Sequence, residues 1–320
     1  MTSPPPGPAA AEGPLSPEQA SRVRELAAAA TRADGVAPLS EDVLLQVRHG
    51  SAAGARDLTL TAGDGVLAGY AHLDAPDPAQ GGDASGELVV HPAYRRRGYG
   101  TALGSALVAG EAGVRLWAHG ELPGAVGFAK AAGFTRFRAL WQMRMPLAAA
   151  PADPPAMPPG VTIRTFRPGS DEEAWLAVNR RAFAHHPEQG GWTLADLRLR
   201  EAEPWFDPAG FFLAERDGRL AGFHWTKVHP DGGAGGAPIG EVYVVGVDPG
   251  QQGGGLGRAL TLTGLSHLRG RGLADVMLYV DEDNTAAVRM YTALGFSRWS
   301  TDAMYRGNPR SAAPDPQGLV

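Results

Sequence analysis

Three short segments occur twice in this 320-residue chain, in the same order. They are residues 64–70 (DGVLAGY) with 217–223 (DGRLAGF), 90–100 (VHPAYRRRGYG) with 247–257 (VDPGQQGGGLG), and 132–134 (AGF) with 294–296 (LGF). The spacing between the copies increases by a few residues along the chain, which is typical of a duplication followed by loop insertions. The sequence therefore predicts two copies of one domain.

The length of the chain and its proline distribution agree with two domains. Each half is long enough to bury a core of its own. Residues 148–160 contain five prolines and predict an extended linker. We expect an N-terminal domain at 16–147, a C-terminal domain at 161–308, and disordered ends at 1–15 and 309–320, which are rich in Pro, Gly and Ala. The order of helical and strand patterns in each copy predicts a mixed α/β fold.

Charge and cysteine content limit the partners. A net charge of -5 gives no basic field, so we expect a small-molecule partner, with neither nucleic acid nor a membrane. The chain has no cysteine, which excludes disulfides, thiolate zinc sites and a cysteine nucleophile. His185 and His186 are adjacent and lack the spacing of a zinc site, so we expect no metal. Without a secretion signal or a long apolar run, we expect a cytoplasmic protein. We also expect a monomer.

The strongest chemical signal is a glycine-rich turn at residues 248–258, directly after an apolar strand at 241–247. Successive N–H groups and the positive end of the following helix favour a phosphate there. The alternative is a flexible turn that binds nothing. The turn lacks the Gly-Lys-Ser/Thr of a P-loop and the glycine spacing of a Rossmann fold. The pattern Gln/Arg-x-x-Gly-x-Gly, between a strand and a helix, resembles the pyrophosphate loop of the GNAT superfamily in both halves.

This resemblance implies two tandem GNAT domains, each with a mixed, mostly antiparallel sheet flanked by helices, and acetyl-CoA as co-substrate. Asn284 and Tyr291 are seven residues apart and would share a helix face. In the family that face lies against the pantetheine arm, which makes Tyr291 the candidate acid for the CoA thiolate. Glu241 is at the place where the family often puts a base. The alternatives are a core tyrosine and a solvated strand-edge glutamate.

The first half keeps the loop but lacks these two groups. The spacing of the repeat places Ala84 opposite Glu241, Ala129 opposite Tyr291 and Leu122 opposite Asn284. We therefore expect the N-terminal domain to bind a CoA-like ligand without catalysing. Glu87 is the nearby carboxylate that could overturn this expectation.

Three longer strings in the second half are more specific than the GNAT motifs. They are HPEQGGW at 186–192, FHWTK at 223–227 and EVYVVGVDP at 241–249. With them, residues 16–308 resemble the mycothiol synthase family. The resemblance implies acetylation of the cysteinyl amine of a cysteinyl-glucosaminyl-inositol, a thiol-bearing acceptor, to give mycothiol and CoA. It departs at Gly253 and Gly254, where the family usually has arginine, so we expect weaker phosphate binding.

The resemblance also implies contact residues. Acceptor contacts would be Glu41, Glu188, Lys227, Glu241 and Tyr279. Acetyl-CoA contacts in the second half would be Val245, Gly246, Val247, Gln252, Gly253, Gly254, Gly255, Leu256, Gly257, Arg258, Asn284, Thr285, Ala286, Ala287, Val288 and Arg289. A second CoA site would use Leu88, Val89, Val90, Arg96, Arg97, Gly98, Tyr99, Gly100 and Thr101.

Two other functions stay open on the sequence. One is a GNAT enzyme for a different small amine, such as an aminoglycoside or a protein N-terminus. The other is a non-catalytic acyl-CoA sensor, which the degenerate first copy makes plausible. Glu241 and Tyr291 argue against the sensor, and turnover would separate it from an enzyme.

Overall fold

The structure is a computed structural model that describes residues 10–76, 82–151, 156–232 and 236–307. It divides into two compact units: a first unit of Met1–Leu140 with Ser300–Val320, and a second unit of Trp141–Trp299. The predicted disordered ends at 1–9 and 309–320, and linker residues 152–155, lie outside the described residues.

The first unit is a sheet with four described helices. Its helices are α1 (Pro17–Asp34), α2 (Glu41–His49), α3 (Tyr99–Val108) and α4 (Pro123–Ala131). Its strands are β1 (Ala11–Glu12), β2 (Arg56–Thr61), β3 (Leu67–Leu73), β4 (Ala84–Val90), β5 (Val114–Ala118), the start of β6 (Thr135–Pro146) and the end of β12 (Ser297–Gly307). Because Ala11 and Glu12 pair with β2, the disorder predicted for 1–15 is wrong at these two residues.

Sequence signals at the start of α1 act as expected. Ser16 caps the helix, and the Gln19 side chain bonds back to the Ser16 N–H, completing a capping box. The helix buries Val23 and Leu26 in a cluster that also contains Tyr70 of β3. Burial of this apolar face fixes α1 against the sheet.

The second unit repeats this plan. Its helices are α5 (Glu172–Ala182), α6 (Pro187–Gly190), α7 (Leu194–Glu201), α8 (Leu256–Gly270) and α9 (Thr285–Ala293). Its strands are the end of β6, β7 (Val161–Thr165), β8 (Phe211–Arg216), β9 (Arg219–His229), β10 (Ile239–Val247), β11 (Asp275–Asp281) and the start of β12. The strand order is β6-β11-β10-β9-β8-β7, with a parallel β10–β11 pair.

The last strand of each sequence copy crosses into the other unit. The end of β6 lies beside β11, and Met143 and Met145 join the core cluster of the second unit. The end of β12 pairs with β5, and Ala303 and Tyr305 join the core of the first unit. The domains predicted at 16–147 and 161–308 therefore differ from the compact units in these two strands. Apolar and polar residues alternate in β6 and β12 in a similar way. The sequence pattern therefore does not show which of the two cores each strand joins.

The two parallel strand pairs separate before the strands end. The β10–β11 register stops at Val242↔Leu278, although β10 continues to Val247 and β11 to Asp281. Beyond that point, the described pairing of β10 is with β9. In the first unit, the β4–β5 register stops in the same way at Gly86↔Leu116. Each unit therefore has an opening in its sheet directly before a glycine-rich turn.

A β-bulge in β10 corrects one residue correspondence between the copies. Tyr243 is the extra residue, because the β9–β10 register shifts between Val242 and Val244, whereas the β3–β4 register has no shift. Counting from the equivalent pairs Val247↔Gly222 and Val90↔Gly69, the position opposite Glu241 is Ser85, one residue after the predicted Ala84. Neither residue is a carboxylic acid, so the predicted contrast between the halves is unchanged.

Candidate active site

Glu241 lies on β10 just before the sheet opens, and its side chain is buried. It pairs across the strands with Lys227, and its Oε2 lies 2.6 Å from Nε2 of His229, its diagonal neighbour. Burial works to raise the pKa of Glu241, but the hydrogen bond and charge of His229 and the charge of Lys227 lower it below its usual value. The carboxylate is therefore ionised at neutral pH.

Lys227 is buried beside aromatic rings. Its Nζ lies 4.2 Å from the ring centroid of Trp205 and 5.0 Å from that of Tyr243. The Tyr243 hydroxyl accepts a hydrogen bond from Nε of Arg200 at 3.0 Å. Cation–π contacts of this kind help to stabilise a buried ammonium. The face that carries Glu241 thus combines an anion, a cation and aromatic walls.

Tyr279 lies on the same face of the sheet as Glu241. Glu241 pairs with Met277 on β11, and Tyr279 is two residues further along, where side chains return to the same face. Its hydroxyl accepts a hydrogen bond from Nε2 of Gln142 at 2.7 Å. The structure therefore brings Lys227, Glu241 and Tyr279 to one surface.

The segment HPEQGGW is anchored near the end of β11. Nδ1 of His186 lies 3.2 Å from the Asp281 carboxylate. The buried Asn179 donates to the carbonyl of Gln189 at 2.6 Å. These contacts hold Glu188, on α6, near the same end of β11 as Tyr279. Glu41 belongs to the first unit, at the start of α2, so its role as an acceptor contact stays a prediction.

The candidate acid Tyr291 lies on α9, buried against Phe296 with ring centroids 5.7 Å apart. Burial raises the pKa of Tyr291 to about 12, so its phenol is protonated at neutral pH. Asn284 precedes α9 as its N-cap and accepts from the N–H of Ala287 at 3.1 Å. Its side-chain carbonyl oxygen is therefore committed to capping the helix, and the predicted shared face with Tyr291 stays a prediction.

The glycine-rich turn of the second unit is built to receive an anion. The Asp248 carboxylate accepts from the N–H of Gly250 at 3.0 Å and pairs with Arg181, which fixes the start of the turn. Gly255 has φ +80 and precedes α8 without a side-chain cap. Gly255 therefore offers no side-chain acceptor to the first N–H groups of α8, and the helix dipole favours a phosphate there.

A cavity of about 260 Å³ adjoins this turn. Its lining includes Met157, Pro158, Gly254, Gly255, Arg258 and Leu262. Arg258 supplies a cation beside the N-terminus of α8. These groups fit the pyrophosphate of acetyl-CoA, the group that the loop motif implies.

Gly253, which stands where the family usually has arginine, has a left-handed backbone conformation. Gly253 has φ +84, and the equivalent Arg96 in the first unit has φ +62. The backbone of the loop is thus left-handed at this position in both units, a conformation that glycine adopts without strain. The second unit gains an unstrained turn and loses the cationic side chain.

The first unit keeps the loop without the reactive groups. Gly98 begins α3 with φ +84 and no side-chain cap, and Arg95 forms a bidentate ion pair with Asp34. Ala129 occupies the position of Tyr291 on α4, and Leu122 is an N-cap without a side-chain bond. A cavity of about 490 Å³ lies beside α3 and α4.

Glu87, the carboxylate that could overturn this contrast, is committed to an ion cluster. Its Oε2 accepts from the N–H of Ser40 at 2.7 Å, and its Oε1 lies 3.4 Å from Nε2 of His119. Nδ1 of His119 lies 3.0 Å from the Asp302 carboxylate. Burial opposes the charge of His119, but Glu87 and Asp302 together raise its pKa to about 10. The cluster thus gives both carboxyl oxygens of Glu87 a structural contact.

Sequence reasoning missed His229 and Tyr243. The available signal for His229 was its spacing of two residues after Lys227 on the same predicted strand, which places both on one face. Nothing in the sequence marks Tyr243 as a bulge, since bulges depend on the partner strand.

The described residues form neither a metal-binding group nor a membrane-spanning helix. Across residues 10–76, 82–151, 156–232 and 236–307, no three histidine or acidic side chains are grouped to hold a metal ion. Within the same ranges, no helix combines the length and apolar character needed to cross a bilayer.

Known proteins match both units. The Acetyltransferase (GNAT) family profile matches residues 175–296, and an Acetyltransferase (GNAT) domain profile matches residues 56–136. Among solved structures, a GCN5-related N-acetyltransferase from Sphaerobacter thermophilus has a TM-score of 0.66 at 26% identity, covering 94% of this chain and 96% of that one. A tandem GNAT protein from the clavulanic acid biosynthesis pathway has a TM-score of 0.68 at 22% identity, covering 95% and 99%. The predicted tandem GNAT fold is confirmed.

Two curated relatives are much more similar in sequence. The mycothiol acetyltransferase of Thermobispora bispora is 61% identical over 292 residues, which cover 91% of this chain and 97% of the relative. That of Thermomonospora curvata is 62% identical over 297 residues, covering 92% and 96%. The prediction of an acetyl-CoA-dependent acetyltransferase is confirmed, and the chain belongs to the mycothiol acetyltransferase family.

Proposed function

We propose that this protein transfers acetyl from acetyl-CoA to the cysteinyl amine of 1D-myo-inositol 2-(L-cysteinylamino)-2-deoxy-glucopyranoside, giving mycothiol and CoA, with catalysis in the second unit. The observation that carries the proposal is the buried, ionised Glu241, beside Lys227 and His229, at the point where β10 leaves β11. In the reaction the amine nitrogen bonds to the thioester carbon and the carbon–sulfur bond breaks. An acceptor that arrives as an ammonium ion loses one proton before it attacks and a second as the amide forms, and the second proton balances the charge of the departing thiolate.

Glu241 receives the first of these protons, directly or through a water molecule. An α-amine has a pKa of about 8, so most acceptor molecules arrive as ammonium ions at neutral pH. A carboxylate kept ionised by His229 attracts the ammonium and then removes its proton. His229 is partly exposed, so the side chain in contact with Glu241 also reaches solvent.

The thioester carbonyl and the thiolate need separate partners. The open edge of β10 at Val245–Val247 supports a role for backbone N–H groups in stabilising the oxyanion. Tyr291 keeps its phenolic proton, since its pKa is about 12. Because a thiol, with a pKa of about 8.5, is the stronger acid, the phenol stabilises the departing thiolate as a hydrogen-bond donor.

The acceptor carries many hydroxyls, and the surface around Glu241 suits them. Glu188, Lys227 and Tyr279 provide hydrogen-bonding groups near the ends of β10 and β11, the positions that the family resemblance implies. The first unit keeps a phosphate loop without base or acid, which supports a second CoA site that does not catalyse. A cytoplasmic location and a monomeric state stay predictions.

A mass-spectrometric assay tests the proposal. Purified protein is incubated with acetyl-CoA and a panel of amines that contains cysteinyl-glucosaminyl-inositol, an aminoglycoside and a peptide with a free N-terminus. Mass detection is preferable to a thiol dye because the acceptor has its own thiol. We expect selective acetylation of the cysteinyl acceptor. Acetylation of another amine alone would refute the substrate, and no turnover would favour a sensor.

A further inference from the structure

Trp299, on β12, has the most exposed large apolar side chain among the described residues, at 65%. It belongs to none of the core clusters, whereas Trp141 packs against the core of the second unit. Exposed apolar area is unfavourable in water, so this indole would gain from covering by a ligand ring.

The orientation of Trp299 is fixed by a chain of contacts that starts at Tyr279. Gln142 donates to the Tyr279 hydroxyl at 2.7 Å, and Nε of Arg144 donates to Oε1 of Gln142 at 2.9 Å. The Arg144 guanidinium lies 4.5 Å from the centroid of the Trp299 ring. A cation–π contact of this kind holds the indole and leaves the rest of its surface accessible.

This chain follows the face of the sheet that carries Glu241. Tyr279 shares that face with Glu241, and its contacts lead through β6 to β12. Strands β10, β11, β6 and β12 are consecutive neighbours, so Glu241 and Trp299 are three interstrand steps apart, at least roughly 14 Å across the strands. Trp299 is too far from Glu241 to touch the reacting amine and is at a distance suited to the other end of an extended acceptor.

We propose that Trp299, oriented by Arg144, is a stacking platform for the acceptor ring furthest from the acetylated amine, the cyclitol. This inference rests on the proposed function and adds a specificity-determining contact to it. The C–H groups on one side of a polyhydroxylated ring carry partial positive charge, and the face of an indole carries partial negative charge. The ring hydroxyls remain at the edges, where Arg144 and water bond to them.

The test compares three acceptors with the wild-type protein and with Trp299→Ala, Trp299→Phe and Phe137→Ala. The acceptors are cysteinyl-glucosaminyl-inositol, cysteinyl-glucosamine and cysteinamide, which lose one ring at a time. Phe137 is a matched control, because it is also exposed, at 55%, and also has an arginine 5.5 Å from its ring centroid, but takes no part in the Tyr279 chain. Initial rates by mass spectrometry give kcat and KM for each pair.

We expect Trp299→Ala to raise KM for the complete acceptor roughly tenfold, which is about 1.4 kcal/mol, with kcat little changed. For cysteinyl-glucosamine and cysteinamide, wild type and Trp299→Ala should agree, Trp299→Phe should keep most of the affinity, and Phe137→Ala should match wild type throughout. Equal losses on all three acceptors, or no change on any, would overturn the platform. If wild type acetylates none of the three, the proposed function is refuted, and this inference with it.

Discussion

Replacing Glu241 by glutamine should reduce turnover steeply at neutral pH. The change is nearly isosteric, and the amide oxygen can still accept from His229, now 2.6 Å from the carboxylate. The side chain is buried, so no solvent molecule simply takes its place. What is lost is the negative charge that attracts the ammonium and accepts its proton.

The magnitude follows from the chemistry of the acceptor. General base catalysis contributes about 100- to 10,000-fold, and we expect a loss of about 100- to 1,000-fold in kcat/KM near pH 7, or about 2.7–4.1 kcal/mol. Only about one in ten α-amines with a pKa of about 8 is neutral near pH 7, whereas most are neutral near pH 9. The deficit of the variant should therefore shrink by roughly tenfold over this range.

The assay is acetylation of cysteinyl-glucosaminyl-inositol by mass spectrometry between about pH 6 and pH 9, since this range spans the pKa of the amine. Glu173→Gln is the matched control, because Glu173 is an exposed residue in the first turn of α5. Stabilisation of each variant by acetyl-CoA in a thermal-shift experiment checks that the cofactor site is intact. Unchanged activity, or a deficit that is constant with pH, would remove Glu241 as the base. Substantial residual turnover that depends on the first unit would refute the assignment of catalysis to the second.

Three further changes test other parts of the site. In His229→Phe, the imidazole no longer opposes the effect of burial, so the pKa of Glu241 should rise and the acid limb of the kcat/KM pH profile should move to higher pH. His185→Phe, at an exposed position, is the control. An acid limb that does not move would show that His229 does not set the pKa of the base. In Gly254→Arg, the new Cβ meets nothing within 4 Å, so the side chain fits without displacing a neighbour. The added charge near the phosphate should lower KM for acetyl-CoA about two- to fivefold at low salt, and this gain should be lost at high salt. A gain that persists at high salt would contradict an ionic contact. Tyr291→Phe should lower kcat about tenfold with KM for acetyl-CoA little changed, measured in the same assay, because one hydrogen bond to the thiolate is lost. Wild type should show no alkaline loss from Tyr291 below its pKa of about 12, and such a loss that Tyr291→Phe abolishes would contradict this assignment.

The duplication, the fold family and the phosphate loop could be predicted from the sequence, because each depends on local patterns. A strand followed by a glycine-rich turn and a helix is encoded within about a dozen neighbouring residues, and the Ser16 and Thr193 caps are encoded within four. Glu241 and Tyr291 were found because they lie at fixed distances from these local motifs.

The tertiary structure decided what depends on distant partners. The exchange of β6 and β12 depends on which core the apolar residues of each strand fill. Because both cores are apolar, the sequence of either strand suits both. The Tyr243 bulge is defined only by the register with β9, and it moves the counterpart of Glu241 from Ala84 to Ser85. His229, 12 residues before Glu241, lowers the pKa of that carboxyl only because β9 and β10 pair in this register. Contacts between residues that are far apart in sequence leave no local sequence pattern. The sequence therefore determined the motifs, and the tertiary structure determined which residues these motifs contact.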